Sequence, residues 1–110
     1  MISQAMADAL NKQINEELFS SYLYASMTTY FEHKSLKGFA HWMRLQTEEE
    51  NAHANKFIKF MEDRGGRVIL AAIEAPKTDW DSPLQVFEEA LEHEQHISKC
   101  INELSTQAIG

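Results

Sequence analysis

Glu50 and His53 stand three residues apart in the run Glu48-Glu49-Glu50-Asn51-Ala52-His53. On a helix that spacing places a carboxylate and an imidazole on one face, a turn from each other. If the face is buried, the pair begins a metal-ligand set. Two further carboxylates, Glu17 and Glu94, interrupt apolar helical faces elsewhere, and the Tyr24 phenol lies two turns along the face of Glu17. Burying a carboxylate costs several kcal/mol unless it is compensated, and three together add their mutual repulsion. Between Leu10 and Phe60 no position on these faces is Lys or Arg, so the compensating charge is expected from a bound cation. Carboxylate oxygens with one imidazole suit Fe2+ or Mn2+, and zinc less selectively. Tyr24 is placed to hydrogen-bond a ligand carboxylate.

These residues need helices to position them, and the chain supplies three. From about residue 3 to 32 there is neither Gly nor Pro, and Leu10, Ile14, Glu17, Ser21, Tyr24, Thr28 and Phe31 step by four and three, the spacing of a bundle seam. His33-Lys34-Ser35 reads as a tight turn, with Ser35 as N-cap of a second helix over about 35–64. Its seam runs Leu36, Phe39, Met43, Gln46, Glu50, His53, Phe57 and Phe60, and Gly65-Gly66 ends it. Residues 65–82 carry no helical period and read as a crossover, with Val68-Ile69-Leu70 as loop rather than strand. Ser82-Pro83 with Gln85 is a start signal for a third helix over about 83–106. Its apolar side is read as Leu84, Phe87, Leu91, Glu94, Ile101 and Leu104. The expected fold is all-α, one domain over residues 1–110.

The register of the helices tests whether the carboxylates can meet. In an antiparallel hairpin turning near 33–34, Glu17 and Glu50 are each about 16 residues from the turn, roughly 25 Å along the bundle. The crossover can reach roughly 55 Å when extended, more than the second helix's length of roughly 45 Å. A long crossover therefore lets the third helix start beside the start of the second and run parallel to it, with Glu94 within about a turn of the same level.

Composition narrows the class of function. The net charge of -7 disfavours nucleic acid and anionic membrane as partners. Cys100 is the single cysteine, so no disulfide framework and no thiolate zinc site is expected, and the setting is expected to be reducing and cytoplasmic. No stretch has the length and apolarity of a membrane span. Glu49 lies one position off the seam and is a candidate for a further ion. Glu16, Glu48, Glu92, His33, His41, His93 and His96 read as surface residues, and Cys100 as a small buried or interface residue.

Three stretches carry a family resemblance: Asn15-Glu16-Glu17-Leu18-Phe19-Ser20-Ser21-Tyr22-Leu23-Tyr24, then Glu48 to His53, then Glu92-His93-Glu94-Gln95 with Ile101-Asn102-Glu103-Leu104. Together the chain resembles the first three helices of bacterial non-haem ferritin, over essentially its whole length. The resemblance implies that Glu17, Glu50 and His53 hold one iron of a di-iron ferroxidase centre. Glu50 would bridge to a second iron held by Glu94, Tyr24 would stand beside the centre, and Glu49 would serve an additional iron site. It further implies oxidation of Fe(II) by dioxygen or peroxide, and storage of ferric iron in a 24-subunit homo-oligomeric shell. Asn51 follows Glu50 where haem-binding bacterioferritins carry a methionine, so no haem is expected.

The family's fourth helix, with its own Gln and Glu ligands, would follow Gly110. Without it one wall of the bundle is open, the second iron is short of a ligand and turnover is expected to be impaired. A truncated or proteolysed ferritin, a bundle completed by helix swapping with another copy, and a naturally short member are the three readings of that arrangement. Two other functions fit the residues less fully. One is a helical interaction module whose seam carboxylates set pairing without metal. The other is a rubrerythrin-like di-iron peroxidase.

Overall fold

Ser3 opens the first helix as expected of an N-cap, its hydroxyl accepting from the Met6 backbone N–H at 3.1 Å. The computed structural model describes residues 2–109; among them are three helices, α1 (Gln4–His33), α2 (Lys37–Asp63) and α3 (Pro83–Ile109), and no strand. All seven positions of the α1 seam are buried, with Ile14, Glu17, Tyr24 and Phe31 at 1% exposure or less. Alternating four- and three-residue steps keep one stripe facing the partner helices. That stripe makes α1 the central helix, packed by α2 and α3.

The turn after α1 differs from expectation in one residue. Ser35 takes the left-handed conformation (φ 60°), and Leu36 occupies the N-cap position of α2 without a side-chain capping bond. The Leu36 N–H instead reaches back to the Phe31 carbonyl at 2.9 Å, closing α1 as α2 begins. Gly65 (φ 76°) ends α2 in the left-handed region, where a residue without Cβ is unstrained.

Residues 66–82 form an irregular crossover, and Val68-Ile69-Leu70 lie in it as loop. Asn11 pins its start, donating to the Arg67 carbonyl and accepting from the Ile69 N–H at 2.9 Å. Near its end Ser26 donates to the Lys77 carbonyl at 2.6 Å, and buried Trp80 packs edge-on against Tyr30. Contacts that begin at Asn11 and finish at Tyr30 mean that the crossover runs the length of α1. It delivers α3 antiparallel to α1 and parallel to α2. Ser82 and Gln85 then start α3: Ser82 Oγ accepts from the Gln85 N–H at 3.2 Å. Gln85 Oε1 accepts from Asp81 N–H, one residue before the expected capping-box donor.

The buried face of α3 is not the one read from its periodicity. Leu84, Leu91 and Ile101 are exposed (67%, 61% and 36%), while Val86, Ala90 and Ile97 are buried. The helix carries two apolar stripes, and the one with small residues lies against α1. Phe87 bridges the two, stacking on Phe31 and meeting Phe39 and Trp42 of α2 edge-on. Phe31 is fully buried in this cluster, a burial that contributes roughly 1.5–3 kcal/mol. A second apolar cluster of Ala7, Leu10, Ile14 and Met61 closes the other end of a bundle 49 Å long. Between the two clusters lie the polar residues. Among the described residues no helix is long and apolar enough to cross a membrane.

Candidate metal centre

Glu17 comes from the middle of α1 and Glu50 from the middle of α2, at 0% and 3% exposure. Both helices are continuous through these positions and are held at each end by an apolar cluster, so the carboxylates are fixed on facing walls. His53, one turn beyond Glu50, puts Nδ1 3.5 Å from Glu50 Oε2 and 3.9 Å from Glu17 Oε2. One ligand atom from each of the three residues lies within 4.8 Å of the other two. The axial arithmetic from the sequence thus corresponds to a real convergence.

The two carboxylates are incompletely satisfied. Glu17 Oε1 accepts from Gln13 Nε2 at 3.1 Å, but Glu17 Oε2 and Glu50 Oε2 have no hydrogen-bond partner. Buried polar atoms are almost always paired, and here both orphans face the His53 nitrogen. Among the described residues, His53 is the only basic side chain within ion-pair distance of either carboxylate. Loss of hydration pushes the Glu50 carboxyl up to about 9, with Glu17 and then Glu94 adding to the effect. A divalent cation among these atoms would satisfy both orphans and replace the proton on Glu50. The donor set fits such an ion.

Glu94 on α3 lies outside that trio. Its Oε1 accepts from the Tyr24 hydroxyl at 2.5 Å, and its carboxylate acts on Glu50. Burial first, and the Glu94 hydrogen bond next, raise the Tyr24 phenol above its ordinary value, so it remains a donor. Glu49 is exposed on α2, its Oε1 3.9 Å from His53 Nε2, the ring nitrogen turned away from Glu50. An apolar groove of about 810 Å3, walled by Leu10, Phe57, Ile101 and Leu104, has Glu17 and His53 in its lining.

Two residues beside the site escaped the sequence reading. Gln13, buried one turn before Glu17, orients that carboxylate; its signal was a polar side chain four residues from a seam Glu. His93, expected at the surface, is half-buried and sits 2.5 Å from Ser20 Oγ, with its ring edge-on to Phe19 and Tyr24. Burial, followed by the charge of His96, lowers its pKa. It belongs to the buried stripe of α3, which the periodicity misplaced. His33 and His41 are exposed, as expected.

Inward carboxylates on facing helices with a Glu-x-x-His pair are the architecture of metal-carboxylate helical bundles. The chain belongs to the ferritin-like family, whose domain model matches residues 7–110. It is 44% identical over 104 residues to a bacterial non-haem ferritin of Bacteroides fragilis, covering 94% of this chain and 65% of that protein. A bacterial non-haem ferritin of Staphylococcus aureus is 35% identical, with 96% and 63% covered. Among solved structures, an engineered closed form of the Archaeoglobus fulgidus ferritin superimposes with a TM-score of 0.96 at 51% identity. That match covers 99% of this chain and 66% of that one. A humanized archaeal ferritin gives a TM-score of 0.97 at 49% identity, with the same coverage. The chain spans about two thirds or less of the length of these relatives.

Proposed function

We propose that this chain is an iron-binding ferritin subunit that oxidises Fe(II) and stores ferric iron. Iron is its substrate and cargo. Glu17, Glu50 and His53 hold the first Fe(II), Glu50 bridges toward a second, and Glu94, kept in place by Tyr24, holds that second ion. Glu49 offers an oxygen to a further ion on the outer side of His53. The observation that carries this reading is the pair of unpartnered buried oxygens on Glu17 and Glu50 facing one imidazole. Ion pairing within the protein does not compensate the two carboxylates in their ionised form, and a divalent cation does.

In the reaction, two Fe(II) ions each lose one electron, and dioxygen takes both electrons with two protons to give hydrogen peroxide. A further pair of Fe(II) ions, with two more protons, reduces that peroxide to two waters. The side chains hold the ions close together, and the buried negative charge favours Fe(III) over Fe(II). Glu50 gives up its proton when the cation enters, and the Tyr24 hydroxyl keeps the Glu94 carboxylate aimed. Assembly into a homo-oligomeric shell in a cytoplasmic setting accompanies this reading. The groove beside Glu17 and His53 is then covered within the assembly.

Anaerobic Fe(II) titration tests the proposal. Binding of Fe(II) to the protein is expected, and Glu50→Ala or His53→Ala should abolish it at the first site. Unchanged stoichiometry in both variants would remove these residues from the centre.

A further inference from the structure

A second group of metal-ligating side chains stands between α1 and α3. Glu16 of α1 faces His96 and Cys100, which are one helical turn apart on α3. His96 Nε2 is 3.2 Å from Glu16 Oε2 and 3.6 Å from Cys100 Sγ, and all three ligand atoms lie within 4.8 Å of one another. A single ring nitrogen is thus the shared vertex of both contacts. It can donate one proton or accept one, so it cannot serve both partners in full. An ion that takes lone pairs from all three satisfies them together.

We propose that Glu16, His96 and Cys100 form a second metal site, selective for a zinc-type divalent cation and distinct from the iron centre. The ligand chemistry differs in kind. A thiolate, an imidazole and a carboxylate make a softer set than the oxygen-rich interior, and suit zinc above iron or manganese. The distances also fit. Zinc bonds of about 2.3 Å to sulfur and about 2.0–2.1 Å to nitrogen and oxygen, at tetrahedral angles, separate S from N by about 3.6 Å and N from O by about 3.3 Å. The observed separations are 3.6 and 3.2 Å. The remaining pair, the Glu16 oxygen and the Cys100 sulfur, lies within 4.8 Å, and water would complete the tetrahedron. Access is open, because His96 is half exposed while Glu16 is largely covered (side chains at 53% and 26%). A cation bound here ties α3 to α1.

Zinc and cobalt also enter carboxylate-histidine sites, so the test uses Glu50→Ala/His53→Ala as the background. Competition against a chromophoric zinc chelator should show one tight Zn2+ per chain in that background. Adding Cys100→Ser or His96→Gln should weaken the binding at least tenfold while helical circular dichroism stays unchanged. Co2+ in the same background should give a thiolate charge-transfer band that Cys100→Ser removes. Absence of Zn2+ binding in the background, or binding indifferent to both added substitutions, would overturn the proposal. In the otherwise native chain Cys100→Ser should leave the anaerobic Fe(II) titration unchanged, so failure of this site and failure of the iron centre read out separately.

Discussion

Glu50→Gln should make the metal-free protein more stable while destroying its affinity for iron. The native Glu50 carboxyl is pushed from 4.5 up to about 9 by burial and by Glu17 and Glu94. The folded state therefore holds a proton that the unfolded state releases above 4.5. No stability is lost below that pH. From there to about 9 stability falls by roughly 1.4 kcal/mol per pH unit. At pH 7 the interval covered is 2.5 units, from 4.5 to 7, and the penalty is at most roughly 3–4 kcal/mol. Glutamine has the same shape, does not titrate, and offers an N–H toward the unpartnered Glu17 Oε2. For a domain of this size each kcal/mol moves the midpoint by roughly 4–8 °C, so the variant should unfold on the order of 10 °C higher at about pH 7. The assay is thermal unfolding of chelator-treated protein from about pH 5 to about pH 8. The wild type should lose stability across that range and the variant should lose far less. Anaerobic Fe(II) should raise the midpoint of the wild type only. A variant that is less stable than the wild type at about pH 8, or that retains the wild-type pH slope, would refute the claim that Glu50 is a buried carboxyl that keeps its proton until a cation replaces it.

Three further substitutions probe the surroundings. Gln13→Leu removes the one donor to Glu17 Oε1, so it should destabilise the fold by about 1–3 kcal/mol and weaken iron binding, measured by thermal unfolding and anaerobic titration. Tyr24→Phe deletes the hydroxyl that holds Glu94. It should slow Fe(II) oxidation roughly 10–100-fold while Fe(II) binding at Glu17, Glu50 and His53 persists, as stopped-flow and titration would show. Trp80→Ala empties the crossover's anchor against Tyr30 and Glu89. A loss of about 3–5 kcal/mol is expected by chemical denaturation, with faster hydrogen exchange in α3.

The legible part of this protein was the part governed by a single unbroken stripe. The α1 seam could be read residue by residue, because a helix packed by two partners buries one face throughout, and Glu17 stood out as a charge on that face. The meeting of Glu17 with Glu50 followed from equal distances to a short turn, which leaves the hairpin little freedom of register. On α3 the same method chose the wrong stripe. Leu84, Leu91 and Ile101 are larger and more apolar than Ala90 and His93, but contact with α1 requires side chains that let the helices approach. Hydrophobicity ranks the stripes by transfer energy, whereas packing selects by shape. His93 was misplaced for that reason. The Glu16–His96–Cys100 cluster was out of reach for a related one: it depends on the rotation of α3 about its own axis, which spacing within one helix does not fix.

The central claim concerns where iron sits, and anomalous diffraction from crystals soaked anaerobically in Fe(II) addresses it most directly. A peak at bonding distance from Glu17, Glu50 and His53, lost in Glu50→Ala crystals, is the predicted result. Iron found only on surface carboxylates, with Glu17 and Glu50 still facing each other unbridged, would contradict it.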